Sequence, residues 1–248
     1  MNQQTFSHIA HQHHLFHNPI SEAKINRIID LIPLHPNDQI IDIGAGKGEL
    51  PIRFIEKYGV NAVAIELFEG SIAAGEKNAK GRIPSEKLQF INQDAKEVIN
   101  TYLNGQFSLG ICIGSSHALG GYEETITALR KAVKKGGYIL IGEGYWRKKP
   151  SPDYLAALGA EESEMKSHLG TIEAAEALGL TALWSTIASE DDWDEYEWLY
   201  SMSIENECHN HPDHPDRDWM LNKIRNWRKI YLTWGRDTLG FGLYLFRN

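Results

Sequence analysis

The residues able to do chemistry in this sequence sit just after its short apolar runs. Gly44, Gly46 and Gly48 alternate with Ala45 and Lys47 behind the run Ile40 to Ile43, which also holds Asp42. Alternating glycines let backbone amides approach a ligand closely, and a helix starting there presents free amides to negative charge. A second run ends in Glu66, about 20 residues beyond the central glycine, where a carboxylate can accept hydrogen bonds from both hydroxyls of a ribose. "INQDAKEV" follows a third run, "ICIGSSHALGG" includes and follows the end of a fourth, and Glu143, Tyr145 and Trp146 follow a fifth. His117, in the fourth of these segments, is of the residue type that titrates near neutrality, suited to taking a proton or orienting an acceptor. Glu143 can orient a cationic or hydroxylated group, and the rings of Tyr145 and Trp146 can stack on it or face a cation.

Three kinds of glycine turn compete for this pattern. A phosphate-binding loop needs Gly-Lys-Ser/Thr after a correctly spaced earlier glycine, and Gly46-Lys47 is followed by Gly48, so that reading fails and Lys47 is expected to be a solvated first-turn residue. A dinucleotide turn reads G-x-G-x-x-G, and Gly44 to Gly48 is one residue short of it. The segment D-I-G-A-G-K-G resembles instead the first motif of the class I S-adenosylmethionine-dependent methyltransferases. The resemblance runs well from Gln39 to Gly144. It implies that Asp42, Gly44, Ala45, Gly46 and Gly48 hold the methionine end of the cofactor and that Glu66 and Leu67 meet the ribose. It also implies that Asp94 and Ala95 meet the adenine, and that Ile113 and Gly114 line the cofactor. Ser115, Ser116 and His117 would then present the acceptor, with Glu143, Tyr145 and Trp146 beside it. The flanks "HHLFHNPISEAK" and "GEGYWRKKPSPDYLAALG" look like a subgroup of bacterial small-molecule methyltransferases. A nicotinamide oxidoreductase and a binding module that holds the cofactor without transferring remain the alternative readings.

The elements that must position these groups follow from periodicity. Strands are expected at Gln39–Gly44, Asn61–Glu66, Leu88–Asn92, Phe107–Ile113 and Gly137–Gly142, and helices at Lys47–Tyr58, Glu69–Lys80, Ala95–Leu103 and Tyr122–Lys135. That alternation means a parallel sheet covered by helices on both faces. Before it, Ser21 caps a helix whose Ile25, Ile28, Ile29 and Ile32 mark one buried face, and residues 1–20 read as an unpaired leader. After Trp146 come helical pieces at Pro152–Leu158 and Glu161–Leu178, a strand near Leu180–Ala188, and an aromatic helical region over Asp191–Trp234. The closing strand "GFGLYLF" would add an antiparallel edge. The expected fold is α/β: a Rossmann-like, seven-stranded, mostly parallel sheet with a helical lid. It forms one domain made of an N-terminal lid and helix (1–36), a cofactor core (37–146) and a helical elaboration with the final strands (147–248).

Composition narrows the partners. The chain has 248 residues, 42% of them apolar, and a formal charge of −8, which favours a small-molecule acceptor over a nucleic acid. No apolar run is long enough to span a bilayer, the N-terminus does not read as a signal peptide, and two cysteines make no disulfide framework, so a cytoplasmic location is expected. His17 and Asn18 are candidates for a lid over the cofactor, and Trp193 and Tyr196 for an aromatic lining of the acceptor pocket. Trp227, Tyr231 and Trp234 have the spacing of a buried helical stripe. "CHNHPDH", Cys208 to His214, contains metal-ligand types but reads as an exposed loop, and no metal is expected.

Overall fold

The structure, a computed structural model, describes residues 2–248. Helices α1 (Gln3–Ala10) and α2 (Glu22–Leu31) lead into a strand–helix alternation. It runs β1 (Gln39–Ile43), α3 (Glu49–Tyr58), β2 (Asn61–Ile65), α4 (Glu69–Ala79), β3 (Leu88–Ile91), α5 (Ala95–Val98), β4 (Phe107–Ile113), α6 (Tyr122–Ala132) and β5 (Val133–Trp146). Then come α7 (Pro152–Leu158), α8 (His168–Ala177), β6 (Thr181–Ile187), α9 (Glu190–Asn210), α10 (Arg217–Ile230) and β7 (Leu239–Arg247).

The seven strands form one sheet in the order β3-β2-β1-β4-β5-β7-β6, parallel except that β7 runs antiparallel to both neighbours. Strand order reverses between β1 and β4, and at such a switch point the carboxyl ends of the strands part to leave a crevice. Alternate residues of each strand feed opposite faces. Ile40, Leu109, Ile111 and Leu140 pack with Ile25, Ile28 and Phe54 on one side, while Ile41, Ile43, Cys112 and Ile139 pack with Ile126 and Leu129 on the other.

The sheet and its antiparallel edge agree with the sequence pattern, and two expectations, for the leader and for Cys208, are corrected. The leader is not unpaired: residues 3–10 form α1, capped by the Asn2 side chain and buried through Phe6 and Ala10 against Ile204, Met220 and Ile224. The region over Asp191–Trp234 is helical as expected, as two helices parted at "HPDHPD", with Tyr231–Gly235 adding a π turn to the second. Cys208 lies inside α9, fully buried, and not on an exposed loop.

Candidate active site

A cavity of about 610 Å³ opens at the carboxyl ends of β1, β2 and β4, where the strand order reverses. Its floor comes from Asp42, the turn Gly44 to Lys47, Glu66 to Phe68 and Ile113 to Ser115, and its roof from α1 and the segment Leu15 to Asn18. The turn needs glycine because Gly44, Gly46 and Gly48 have φ of 68°, 55° and 66°, the left-handed region. Space excludes a side chain as well: a Cβ on Gly44 would lie 2.4 Å from Ser115 Cβ.

Two carboxyl groups face this turn. Glu66 folds back over it, accepting from Gly46 N at 2.8 Å and from Phe68 N at 2.9 Å. Asp42 is 4% exposed, and burial, with the Glu66 charge nearby, pushes its carboxyl well above the usual carboxylate range. Together they make the cavity favourable to cationic groups and to hydrogen-bond donors.

Lys47 is not solvated. Its Nζ donates to the carbonyls of His11, Gln12 and His14 at 2.8, 3.3 and 3.0 Å, so the glycine turn pins the chain just beyond α1. Positive charge belongs where carbonyls are left without helical partners. Under this pin four histidines follow one another every third residue. His11 Nδ1 donates to Ser7 O at 2.8 Å, which leaves Nε2 to accept from Tyr196 OH at 2.8 Å. His14 Nε2 donates to Tyr196 O at 2.9 Å, and the His17 ring stacks on His11 with centroids 4.5 Å apart. Burial holds all four as neutral bases: His11 at about 4, His17 at about 2, and His8 and His14 lowered in the same direction.

Of the residues singled out in the sequence, Asp42, Gly44, Ala45, Gly46, Glu66, Leu67, Ile113, Gly114, Ser115, His117, His17, Asn18 and Tyr196 line this cavity. Gly48 stands behind it, starting α3 and lying against Phe90, and Asp94 caps α5 by accepting from Lys96 N at 2.8 Å, with Ala95 buried beneath. Ser116 and Glu143 line an adjoining chamber of about 520 Å³, and His117 faces both spaces. Glu143 Oε1 accepts from its neighbour Gly144 N at 3.2 Å, Oε2 is buried with no partner among the described residues, and burial raises the carboxyl.

Three aromatic candidates are brought elsewhere. The Tyr145 ring lies on Gly240 of β7, Trp146 packs on Tyr154 and donates to Glu162 O at 2.9 Å, and Trp193 is in the core against Tyr231. The cavity also has walls the sequence did not announce: Gln3, Ser7, His8, His11 and Lys47. The recurrence of histidine at positions 8, 11, 14 and 17, a near-helical spacing, was the available signal.

With this geometry in view, comparison with known proteins is decisive for the family. The methyltransferase domain matches residues 34–202, more than half of the chain. The chain belongs to the methyltransferase-domain family. It is 26% identical over 238 residues to the uncharacterised protein YjhP of Escherichia coli (strain K12), covering 95% of each chain. A structure from Geobacter sulfurreducens, a S-adenosylmethionine-dependent methyltransferase in complex with S-adenosyl-L-homocysteine, superposes with a TM-score of 0.90 at 24% identity, covering 98% of this chain and 97% of that one. The 27-O-demethylrifamycin SV methyltransferase of Amycolatopsis mediterranei (strain S699) is 25% identical over 132 residues, 53% of this chain and 47% of that one.

Proposed function

We propose that this methyltransferase-domain protein uses S-adenosylmethionine to methylate a small-molecule acceptor. The observation that carries the reading is the left-handed glycine turn closed by Glu66 over a cavity at the switch point of the sheet. The residues fit the cofactor: two carboxyl groups suit its ammonium and hydroxyl groups, and the close approach of Gly44 and Gly46 leaves the backbone free of side chains. Asp42 and Gly44 to Gly48 would hold the methionine moiety, Glu66 and Leu67 the ribose, and Asp94 and Ala95 the adenine. When bound, S-adenosylmethionine supplies an electrophilic methyl group on a sulfonium.

The chain's own residues would then align the acceptor and exclude water, and alignment is worth on the order of 7 to 11 kcal/mol in favourable models. His117 borders both the cofactor cavity and the chamber of Glu143, which makes it the candidate to take a proton from the acceptor, with Ser115, Ser116 and Glu143 orienting it. His17 and Asn18 would close the lid. A charge of −8 supports a small molecule in place of a nucleic acid, and the two buried free thiols support the cytoplasm. No described helix is long and apolar enough to cross a membrane. The whole chain reads as one catalytic domain with its lid.

The test is calorimetry of S-adenosylmethionine, S-adenosylhomocysteine and NADH with the parent, Glu66→Ala and Asp94→Ala. Micromolar binding of the first two, about 8 kcal/mol, weakened by both substitutions, supports the assignment. Binding of NADH alone overturns it.

A further inference from the structure

A second chamber, of about 430 Å³, lies between α1, α7, α9 and α10. It shares Gln3, His11 and Tyr196 with the cavity at the strand ends, so one layer of side chains separates the two. Phe6, Tyr200, Trp227, Leu158 and Ile230 give it aromatic and aliphatic walls. Glu197 is the one carboxylate among the residues that line it, and it is 7% exposed.

Glu197 is poorly provided for by the fold. Its Oε2 accepts from Trp227 Nε1 at 2.6 Å, a neutral donor, and no cationic side chain of the described residues is ion-paired with it. A carboxylate offers about four acceptor positions, and burying its charge is costly unless a cation meets it. The cations nearby are engaged elsewhere. Arg228 donates to Ser201 and Glu205, and Arg236 pairs with Asp194. Lys223, which also borders the chamber, donates to Gln3, and its ammonium lies 4.8 Å from the ring centroids of both Phe6 and Trp219. One aromatic wall of the chamber, Phe6, therefore already carries an ammonium, while the carboxylate that lines it has none.

We propose that this chamber is a binding site for a small organic amine with an aromatic body, its ammonium meeting Glu197 and its ring the walls of Tyr200 and Trp227. Aromatic faces attract a desolvated cation, and a charge-assisted hydrogen bond to a buried carboxylate adds to that attraction. The alternative, that Glu197 merely anchors Trp227, predicts no preference for charge. The site stands or falls without reference to the cofactor, so its failure is distinguishable from failure of the methyltransferase reading.

The test uses the full chain, with 2-phenylethylamine and its neutral counterpart 2-phenylethanol as probes, followed by calorimetry and tryptophan fluorescence. The amine should bind about 10-fold tighter than the alcohol, as expected for a cation–π contact combined with a charge-assisted bond. Glu197→Gln, which keeps an acceptor for Trp227, should erase that preference and leave alcohol binding unchanged. Lys223→Gln, which removes the like charge, should tighten the amine about 3-fold. Equal affinities in the parent, or an amine preference that survives Glu197→Gln, overturn the proposal. Should Glu197→Gln not fold, an amine affinity unchanged or weakened in Lys223→Gln overturns it. Mass spectrometry after adding S-adenosylmethionine separates the two sources of such a ligand: a methylated amine supports the site as the acceptor's own, and a bound but unmodified amine supports it as an effector's.

Discussion

Replacing Glu197 by Gln should change the pH dependence of stability by an amount the structure fixes. Burial lifts the Glu197 carboxyl from its usual 4.5 to about 7, with the Trp227 hydrogen bond opposing the rise. The folded chain therefore keeps a proton that the unfolded chain has released. The contribution is fully present below about 4.5 and is lost as pH rises through about 7. At about 1.4 kcal/mol per pH unit, and with close to two units of difference in proton release between about pH 5 and about pH 8, the parent should lose about 2.5 kcal/mol over that window. Glutamine has the same shape, keeps an acceptor for Trp227 Nε1 and does not titrate. Urea unfolding of both proteins at the two pH values gives the comparison, and the lid histidines, common to both, drop out of the difference. The gap between variant and parent should widen by about 2.5 kcal/mol on going to the higher pH. Parallel stabilities at both values would refute the reasoning, since they would mean that the carboxylate is solvated or already neutralised in the folded chain.

Two further outcomes concern the lid. Lys47→Met removes a cation that donates to three carbonyls just beyond α1, a loss of about 2 kcal/mol, so hydrogen exchange of amides 5–14 should speed up by about 30-fold; unchanged exchange would show that α1 is held by Phe6 alone. His11 and His17 sit at about 4 and about 2, depressed by burial, so their stabilisation is present above about 6.5 and is lost as pH falls toward about 4. Limited proteolysis after residue 14 should therefore accelerate at about pH 5 relative to about pH 7.5, and equal rates would argue that the histidines stay solvated.

The sheet was legible because β1 and β4, at its centre, are largely apolar runs buried on both faces, a pattern that depends on nothing distant. Ile40 to Ile43 and Phe107 to Ile113 would read as strands in almost any context. α1 was not legible for the opposite reason. Its apolar content is little more than Phe6, Ile9 and Ala10, and what makes it a helix in place is the receiving surface of Ile204, Met220 and Ile224, some 200 residues away. The break inside Asp191–Trp234 was marked by Pro212 and Pro215, but an aromatic-rich stretch on either side hid the fact that the two helices fold back on one another.

Site residues divide in the same way. Glycines at positive φ announce themselves because only the backbone is at issue, and an acid at a strand end needs only the strand to be placed. Aromatic residues do not: whether Tyr145 faces a ligand or a neighbour is decided by Gly240, brought across by an antiparallel strand from the end of the chain, whose missing side chain leaves the space the ring fills. Lys47 shows how far this goes. Between two glycines it has every mark of a solvated residue, and its function as the pin of the lid exists only because the chain just beyond α1 places the His11 and His14 carbonyls above the turn. The backbone that exposes amides to the cavity thus also carries the cation that holds the roof. A ligand that shifts the turn must shift α1 with it, and α1 contributes Phe6, and the residue just after it His11, to the second chamber.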